Sequence, residues 1–332
     1  MATLDDVARL AGVSRATASR VLSGRGPSSG AARKQVEAAV SRLGYRTNAV
    51  ARSLRTTRTG TIGLIVSDVR NPFFSDLVRW VEQEAQLAGL SVIVGNADES
   101  TAQQDAYVDT LLAHRVDGLI ATPQGDGSGA LSEAVQAGVP TVFVDRRVPG
   151  LDVPVVCSDN AAGVRSLFAH LATLGHRRVG VIAGPRAAST GRERLAAAMA
   201  AVEEHALDGA EELIRYGDFQ LASGVKAASD LLDLGRPPTV IFAADNLMAL
   251  GAFQEMRRRG MTVGADVGLA SFDDLPWFSL VDPPITAVAQ DTETLSRTAV
   301  RMLREVIDGD EPADVVVPTR LVTRGSCGER QR

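Results

Sequence analysis

Two short helical patterns joined by a tight turn occupy residues 3–22. Thr3 stands three residues before Asp6, which is the spacing of a capping box, and Ser14 is placed to cap the second pattern. The turn between the patterns falls at residues 11–13. This arrangement predicts a helix-turn-helix, a motif whose second helix enters a major groove of DNA.

The apolar residues of this segment can meet as a small core, which leaves the second helix with a polar outer face. The predicted core consists of Val7, Leu10, Val13, Ala18, Val21 and Leu22. The outer face carries Arg15, Ala16, Ser19 and Arg20. Side chains on that face can reach base edges and phosphates. An ordinary helical hairpin has the same pattern, so this segment alone leaves both structures open.

The distribution of charge favours the DNA-binding alternative. The chain carries 35 Lys and Arg against 40 Asp and Glu, but residues 1–59 hold 11 of the basic residues and only 3 of the acidic ones. A basic head is therefore joined to an acidic body. Phosphate binding requires such an asymmetry, because neutralising phosphates releases counterions, whereas a solvated surface helix does not require it.

Composition bounds the remaining possibilities. With 332 residues, 45% of them hydrophobic, the chain is long enough for two or three domains with substantial cores. No apolar run approaches 18 residues and no apolar signal segment begins the chain, so we expect a cytoplasmic protein. Cys157 and Cys327 are far apart and lack the spacing of a zinc site. We therefore expect no disulfide framework, no metal and no cofactor.

A third helical pattern and a basic segment complete the head. The pattern begins after Ser29 and ends at Gly44, a residue that suits the left-handed position after a helix. Residues 46–59 are basic, and Leu54 is their one large apolar side chain. A segment so short and polar is marginal as a free helix, so a disordered linker and a hinge that folds on DNA are both open.

From Gly60 onward, apolar runs of about five residues alternate with helical stretches. The strand candidates are residues 62–67, 91–96, 118–122, 141–145, 179–184, 239–244 and 267–272. Such an alternation predicts βαβ units and parallel sheets covered by helices on both faces. Because the series is doubled, with a boundary near residues 157–160, we expect an α/β fold of two Rossmann-like lobes with a cleft between them.

Polar residues recur where these strands end. They are Asp68, Asn71, Asn96, Asp98, Asp145, Asp218, Asp245, Asp273 and Asp274. Ligands of open α/β sheets bind outside the carboxyl ends of the strands, where carboxylates and amides accept hydrogen bonds from hydroxyl or ring N–H groups. Phe73, Phe74 and Trp277 also follow strand ends and can supply flat apolar walls. One Asp at such a point is usually a loop cap, but the recurrence in both halves favours a binding site.

The residues do not support an enzyme. Asp273 and Asp274 are adjacent, so their side chains point in different directions and cannot face each other as an acid and base pair. None of the four His has a ligand spacing, and the sequence lacks nucleophile-elbow and phosphate-loop motifs. Residues 125–130 resemble a nucleotide loop, but the third glycine comes one position early, so a flexible turn is the preferred interpretation.

Short motifs along nearly the whole chain match one family. In the head and the first half they are residues 3–22, 43–45, 48–54, 62–68, 71–74 and 116–120. In the second half they are residues 159–160, 174–176, 183–185, 245, 248–251, 272–274 and 283–286. Together they are highly specific, and the chain resembles the LacI/GalR family of bacterial transcriptional repressors.

The resemblance implies a set of DNA-binding residues. They are Thr3, Ser14, Arg15, Ala16, Thr17, Ser19, Arg20, Asn48, Ala51 and Leu54. In this family Arg15 and Ala16 would lie over base edges, and residues 48–54 would form a hinge helix upon binding. Leu54 would then wedge into a central minor-groove step and kink the operator. The resemblance thus favours a hinge over a disordered linker.

The resemblance also implies an effector core similar to type I periplasmic binding proteins, with three crossovers between its lobes. The effector-binding residues would be Asp68, Phe73, Phe74, Asp145, Arg194, Asp245, Asp273 and Trp277. The predicted domains are a head at 1–46, a hinge at 47–59, a core at 60–327 and a tail at 328–332. The first lobe would span 60–157 and 287–318, and the second 158–286 and 319–327.

These observations predict a homodimeric repressor that binds a pseudo-palindromic operator and whose DNA affinity is set by a small molecule in the cleft. The expected effector is a carbohydrate or related polyol, with a phosphorylated sugar included, and a purine is the alternative. A binding protein or enzyme of the same two-lobed fold with an incidental basic head is the competing function. Whether the effector releases or promotes DNA binding stays open.

Overall fold

A computed structural model describes residues 2–23, 28–45, 58–125, 127, 129–209 and 211–328. The chain divides into two compact units, Met1–Thr59 and Gly60–Arg332. Within these described ranges, no helix has both the length and the apolar character needed to cross a bilayer.

The head consists of helices α1 (Leu4–Leu10), α2 (Arg15–Ser23) and α3 (Gly30–Leu43). Its predicted start and stop signals are confirmed. Thr3 and Asp6 form the capping box of α1, and the backbone N–H of Thr17 donates to Ser14 Oγ at 3.1 Å. Gly44 ends α3 in the left-handed conformation, with φ of 57°. These caps fix where each helix begins or ends and hence how α2 is presented.

The core of the head differs from the prediction at one residue. Val7, Ala18 and Val21 are buried, and Val36 of α3 packs with them. Leu10 is an exception, since 44% of it is exposed, so the prediction that it belongs to the core is wrong. Leu10 is the last residue of α1, directly before the turn to α2.

The first lobe holds one six-stranded sheet. Its strands are β1 (Thr61–Val66), β2 (Ser91–Asn96), β3 (Leu119–Ala121), β4 (Thr141–Val144), β5 (Val155–Ser158) and β11 (Val315–Val317). Its helices are α4 (Pro72–Leu87), α5 (Thr101–Ala113), α6 (Ala130–Gln136) and α11 (Thr292–Asp308). The strand order is β11-β5-β4-β3-β1-β2, and the neighbouring strands are parallel.

The second lobe repeats this plan. Its strands are β6 (Val179–Ala183), β7 (Ile214–Tyr216), β8 (Val240–Ala243), β9 (Gly268–Phe272), β10 (Thr286–Ala289) and β12 (Arg320–Val322). Its helices are α7 (Asn160–Thr173), α8 (Ser189–Glu204), α9 (Leu221–Leu232) and α10 (Asn246–Arg258). The order is β12-β10-β9-β8-β6-β7, and the edge strand β12 is antiparallel to β10.

The predicted α/β fold of two parallel-sheet lobes is confirmed, and the chain passes between the sheets after β5, after β10 and after β11. One lobe assignment is wrong. We predicted that the chain returns to the first lobe at residue 287, but Thr286–Ala289 pairs with Gly268–Phe272 in the second sheet. The return comes with α11, whose Ser296 Oγ donates to the carbonyl of Leu77 at 3.2 Å. The apolar strand and the helix after it therefore belong to different lobes.

Apolar side chains cover both faces of each sheet. In the first lobe, Leu64 faces the α4 and α11 side, and the next residue, Ile65, faces the α5 and α6 side. In the second lobe, Phe168 and Phe242 are fully buried and meet edge to face at 5.7 Å. Burying each such ring contributes roughly 1.5–3 kcal/mol relative to leaving it exposed. The two sheets are therefore separately supported, and their carboxyl ends form the cleft.

Candidate functional site

The outer face of α2 presents the residues that the sequence predicts at the DNA. Arg15, Ala16 and Arg20 are exposed, and Thr17 and Ser19 are half-buried. The side chain of Arg15 is 70% exposed and lies 3.4 Å from the Asp5 carboxylate of α1. The Arg15 side chain therefore lies on the surface, in a solvent-exposed ion pair with α1. Asn48, Ala51 and Leu54 lie outside the described residues.

An open cavity lies between the lobes at the carboxyl ends of the strands, and its empty space, with the solvent at its mouth included, is about 270 Å³. Both lobes contribute polar and aromatic side chains to it. The lining residues are Asn71, Phe73, Phe74, Glu99, Asp145, Arg146, Thr190, Arg194, Phe219, Asp245, Asp273 and Gln290. Six of the eight residues predicted to bind an effector are thus brought together, from sequence positions as far apart as Phe73 and Asp273.

The three aspartates of the cavity reach it because each directly follows a strand or starts a helix. Asp145 follows β4 and Asp273 follows β9, and both have a left-handed backbone, with φ of 68° and 67°. Asp245 precedes α10, and its Oδ1 accepts the backbone N–H of Met248 at 2.9 Å. Left-handed residues other than glycine are uncommon and cluster at functional sites. The chain therefore turns sharply at two strand ends to present a carboxylate.

Burial changes the acidity of these carboxyl groups. Only 5%, 3% and 5% of Asp145, Asp245 and Asp273 are exposed. Loss of hydration raises the pKa of Asp145 to about 6, against the opposing effect of Arg194 and Arg146. Burial, together with the charge of Asp273, raises the pKa of Asp245 to about 7. Burial also raises the pKa of Asp273. Such shifts mark groups that are removed from water and held close to one another.

Two buried arginines accompany the carboxylates. Arg146 makes a two-pronged contact with the carboxylate of Glu99, from Nη1 at 2.8 Å and from Nη2 at 2.7 Å. Arg194 donates from Nε to Asn160 Oδ1 at 2.8 Å and lies 3.7 Å from the ring centre of Phe272. Both guanidiniums are thus fixed by the protein itself.

Aromatic rings supply the apolar walls. Phe73 and Phe74 meet edge to face at 4.9 Å on the first-lobe side. Phe219 faces them from the second lobe, and its ring lies 5.2 Å from the guanidinium of Arg146. Phe219 has a φ of 63°, and its ring occupies the space that a Cβ on Gly184 would need. Glycine at position 184 is therefore required for this ring to reach the cavity.

Two predicted effector residues do not line the cavity. Asp68 is buried beside it and is bound by Arg70 Nη2 at 2.9 Å and by Gln220 Nε2 of the other lobe at 3.2 Å. Trp277 lies in a short 3₁₀ turn and packs on Phe278 at 4.5 Å. Asp68 thus joins the lobes at the rim, and Trp277 belongs to the packing of the second lobe.

Sequence reasoning missed part of the lining. The omitted residues are Asn71, Glu99, Arg146, Thr190, Phe219 and Gln290. Asn71 was recognised as a polar strand-end residue but was left out of the predicted site. Arg146 and Gln290 come within two residues of a strand end, so a wider window after each strand would have found them. Phe219 follows β7, a strand of three residues that gives little apolar signal.

Family models match both parts of the chain. Residues 3–48 match the family described as bacterial regulatory proteins, lacI family. Residues 168–327 match a periplasmic binding protein-like domain. These matches agree with the helix-turn-helix and with the two-lobed core.

Relatives match along nearly the whole length. The HTH-type transcriptional repressor CytR of Escherichia coli (strain K12) is 32% identical over 327 residues, which cover 98% of this chain and 96% of CytR. The HTH-type transcriptional regulator CelR of Thermobifida fusca is 35% identical over 333 residues, which cover 98% of both chains. Such relatives are DNA-binding regulators, which confirms the expectation of a regulator rather than an enzyme.

Solved structures share the fold. The Lac repressor dimer bound to operator and the anti-inducer ONPF superposes with a TM-score of 0.86 at 32% identity, over 98% of each chain. The CelR–cellobiose complex gives a TM-score of 0.75 at 34% identity, over 98% of this chain and 100% of the other. The family motifs, the match of residues 3–48 and the full-length relatives agree. The chain therefore belongs to the LacI family of bacterial regulatory proteins.

Proposed function

We propose that this chain is a cytoplasmic transcriptional repressor that binds a pseudo-palindromic operator as a homodimer and whose affinity for DNA is set by a carbohydrate in the cleft. The observation that carries the proposal is the convergence of Asp145, Asp245, Asp273 and Arg194 with three aromatic rings between the lobes. Carboxylates accept hydrogen bonds from hydroxyl groups, and aromatic rings cover the apolar face of a sugar.

The exposed face of α2 supports operator recognition. We propose that Arg15, which is exposed on this face, makes a two-pronged contact with guanine, the commonest specific contact in a major groove. Two-fold symmetry of a dimer then requires two matching half-sites. Asn48, Ala51 and Leu54 stay predicted hinge contacts, with Leu54 as the wedge in the minor groove.

An apolar patch on the first lobe supports self-association. Leu87 at the end of α4 is 76% exposed, and Ile93 and Val94 of the edge strand β2 are exposed beside it in sequence. An uncovered edge strand with apolar side chains is a surface for pairing with another chain. We propose that this patch contacts a second copy.

The experiment is a fluorescence anisotropy titration of the full-length protein with DNA from upstream of its own gene, with and without candidate effectors. We expect saturable binding that a nonspecific duplex does not match and that one carbohydrate strengthens or weakens. Weaker binding in its presence identifies an inducer, and stronger binding a corepressor. Equal affinity for the upstream DNA and a scrambled duplex would contradict the proposal and favour a binding protein with an incidental basic head.

A further inference from the structure

We infer that Asp5 is a specificity-determining residue of the DNA-binding head, whose carboxylate disfavours contacts of Arg15 with phosphate and directs it toward base edges in the major groove. This inference rests on the proposed function, because it specifies how the outer face of α2 selects an operator. Asp5 acts through Arg15 and is therefore a positioning residue.

Acidic residues are rare in the head. Residues 1–59 hold 11 basic residues and only three acidic ones, Asp5, Asp6 and Glu37. Asp6 completes the capping box of α1, where its Oδ2 accepts from the backbone N–H of Thr3 at 3.0 Å and from Thr3 Oγ1 at 2.7 Å. Asp5 takes no part in the capping box and lies beside the start of α2 instead. A negative charge at that place opposes phosphate binding, so affinity for DNA does not explain it.

Packing of the first two helices brings Asp5 and Arg15 together. Asp5 is the second residue of α1, and Arg15 is the first residue of α2. Val7 of α1 is fully buried, and the backbone N–H of Val13 donates to the carbonyl of Ala8 at 3.0 Å within the turn. Asp5 Oδ2 lies 3.4 Å from Arg15 Nη1, and the two side chains are 55% and 70% exposed. Such exposed ion pairs contribute little to stability, so the fold does not explain Asp5 either.

The ion pair leaves one edge of the guanidinium open. Within the described part of the chain, the Arg15 guanidinium has no partner other than Asp5, which contacts Nη1. Nε and Nη2 are left as two parallel donors. Guanine O6 and N7 accept such a pair of donors in the major groove. Arg15 can therefore bind Asp5 and guanine at the same time.

The charge of Asp5 distinguishes between the acceptors that DNA offers to Arg15. A phosphate is an anion and repels the Asp5 carboxylate when both approach the guanidinium, whereas O6 and N7 of guanine are uncharged. Water leaves the interface when DNA binds, which lowers the effective dielectric and strengthens these interactions. Phosphate contacts carry no sequence information. Asp5 should therefore lower the affinity for non-specific DNA and raise the preference for the correct base pair.

A purely structural role for Asp5 makes a different prediction. Asp5 lies in the first turn of α1, where an acidic residue stabilises a helix through its dipole. Loss of that role would lower the stability of the head without changing which base Arg15 prefers. Base preference at the position that Arg15 reads is therefore the measurement that separates the two roles.

The experiment uses the full-length protein and an operator that the wild type selects from a randomised duplex library. Fluorescence anisotropy measures the affinity for this operator, for a scrambled duplex, and for operators substituted at the base pair where Arg15→Ala relaxes the preference. The variants are Asp5→Asn, Arg15→Ala and the double variant, and Asp5→Glu retains the charge. Glu37→Gln is the matched control, because it removes an exposed negative charge from α3.

Removing the charge of Asp5 should alter affinity and preference in opposite directions. We expect Asp5→Asn to bind the scrambled duplex about 2- to 5-fold more tightly and to prefer the correct base pair about 2- to 5-fold less than the wild type does. In the Arg15→Ala background, Asp5→Asn should leave the base preference unchanged, because no guanidinium is left to direct. Asp5→Glu should retain the wild-type preference, and Glu37→Gln should retain it as well.

The outcomes separate the inference from the function beneath it. If Asp5→Asn keeps the wild-type preference, or loses only stability in thermal unfolding, the inference is overturned and operator recognition by Arg15 stands. A change of preference that persists in the Arg15→Ala background would also overturn it, since Asp5 would then contact a base itself. If Arg15→Ala relaxes the preference at no base pair, or if no operator is selected, the proposed function fails and the inference fails with it.

Discussion

Asn71 of the first lobe donates from Nδ2 to Oδ2 of Asp245 in the second lobe at 3.1 Å, so the two sheets are tied together at the cavity itself. The other end of the same amide is also engaged. Asn71 Oδ1 accepts from the backbone N–H of Phe73 at 3.0 Å and from Asn246 Nδ2 at 2.8 Å. One side chain thus caps α4 and closes the cleft.

These two roles of Asn71 can be separated by substitution. Asn71→Ser keeps an oxygen that can cap α4 but is too short to reach Asp245, whereas Asn71→Ala loses both interactions. We expect both variants to have a larger radius of gyration in small-angle X-ray scattering. Only Asn71→Ala should also lose the cap of α4, which should lower its unfolding free energy by about 1 kcal/mol relative to the wild type. A radius that stays at the wild-type value in both variants would contradict the closing role.

The buried Asp145 makes the stability of the ligand-free protein depend on pH. Its pKa is raised by burial from 3.8 to about 6, so the folded protein holds this proton more tightly than the unfolded chain does. The proton on Asp145 therefore contributes to the free energy of unfolding. This contribution is fully present below about pH 4 and is lost as the pH rises through about 6. As the pH rises, the unfolding free energy of Asp145→Asn should fall by less than that of the wild type, with a difference of up to about 3 kcal/mol.

Urea denaturation of both proteins between pH 4 and pH 8 measures this difference. Asp245, whose pKa is about 7, titrates in both proteins, so it does not contribute to the difference between them. If the unfolding free energies of the wild type and Asp145→Asn change with pH in parallel, Asp145 does not titrate in this range.

Arg15 should read one base pair in each half-site. We expect Arg15→Ala to relax preference at that position by about 1–3 kcal/mol. Lys34 lies on the exposed side of α3, and Lys34→Ala should at most weaken binding to all operator sequences equally. Selection from a randomised operator library compares the two variants. Uniform weakening by Arg15→Ala would mean that this residue contacts phosphate only.

The apolar patch at Leu87 should hold the dimer together. Leu87→Asp places a charge there, and we expect it to shift sedimentation toward the monomer at micromolar concentration. Val316→Asp is the matched control, because Val316 is 55% exposed on β11, the opposite edge strand of the same sheet. If Val316→Asp dissociates the dimer and Leu87→Asp does not, the dimer interface lies at the β11 edge of the sheet, which would contradict the proposed patch.

Local signals in the sequence predicted much of the fold. Thr3 and Ser29 cap helices where they were expected, and Ser91–Asn96 has the predicted bounds. The strands β7 and β12 were harder because each has three residues, is not fully buried and carries an arginine. Short strands at a sheet edge bury little surface, so their sequences show only a weak apolar pattern.

The candidate site was predictable where a residue directly follows an apolar strand and not where it lies further along a loop. Asp145 and Asp273 follow apolar runs directly, so topology alone brings them together. Trp277 does not line the cavity, because it lies in a 3₁₀ turn and packs on Phe278. Glu99 and Phe219 reach the cavity through left-handed residues, with φ of 54° and 63°, which no pattern of apolar residues indicates.

Coupling between the cleft and the operator is expected to appear as a change in operator affinity when a sugar binds. Operator affinity is measured by fluorescence anisotropy with and without a carbohydrate that calorimetry shows to bind, for the wild type and for Asp273→Asn. We expect a change of about 5- to 150-fold in the wild type, in either direction, and a much smaller change in Asp273→Asn at the same sugar concentration. An operator affinity that the bound sugar leaves unchanged in the wild type, or changes equally in both proteins, would contradict it.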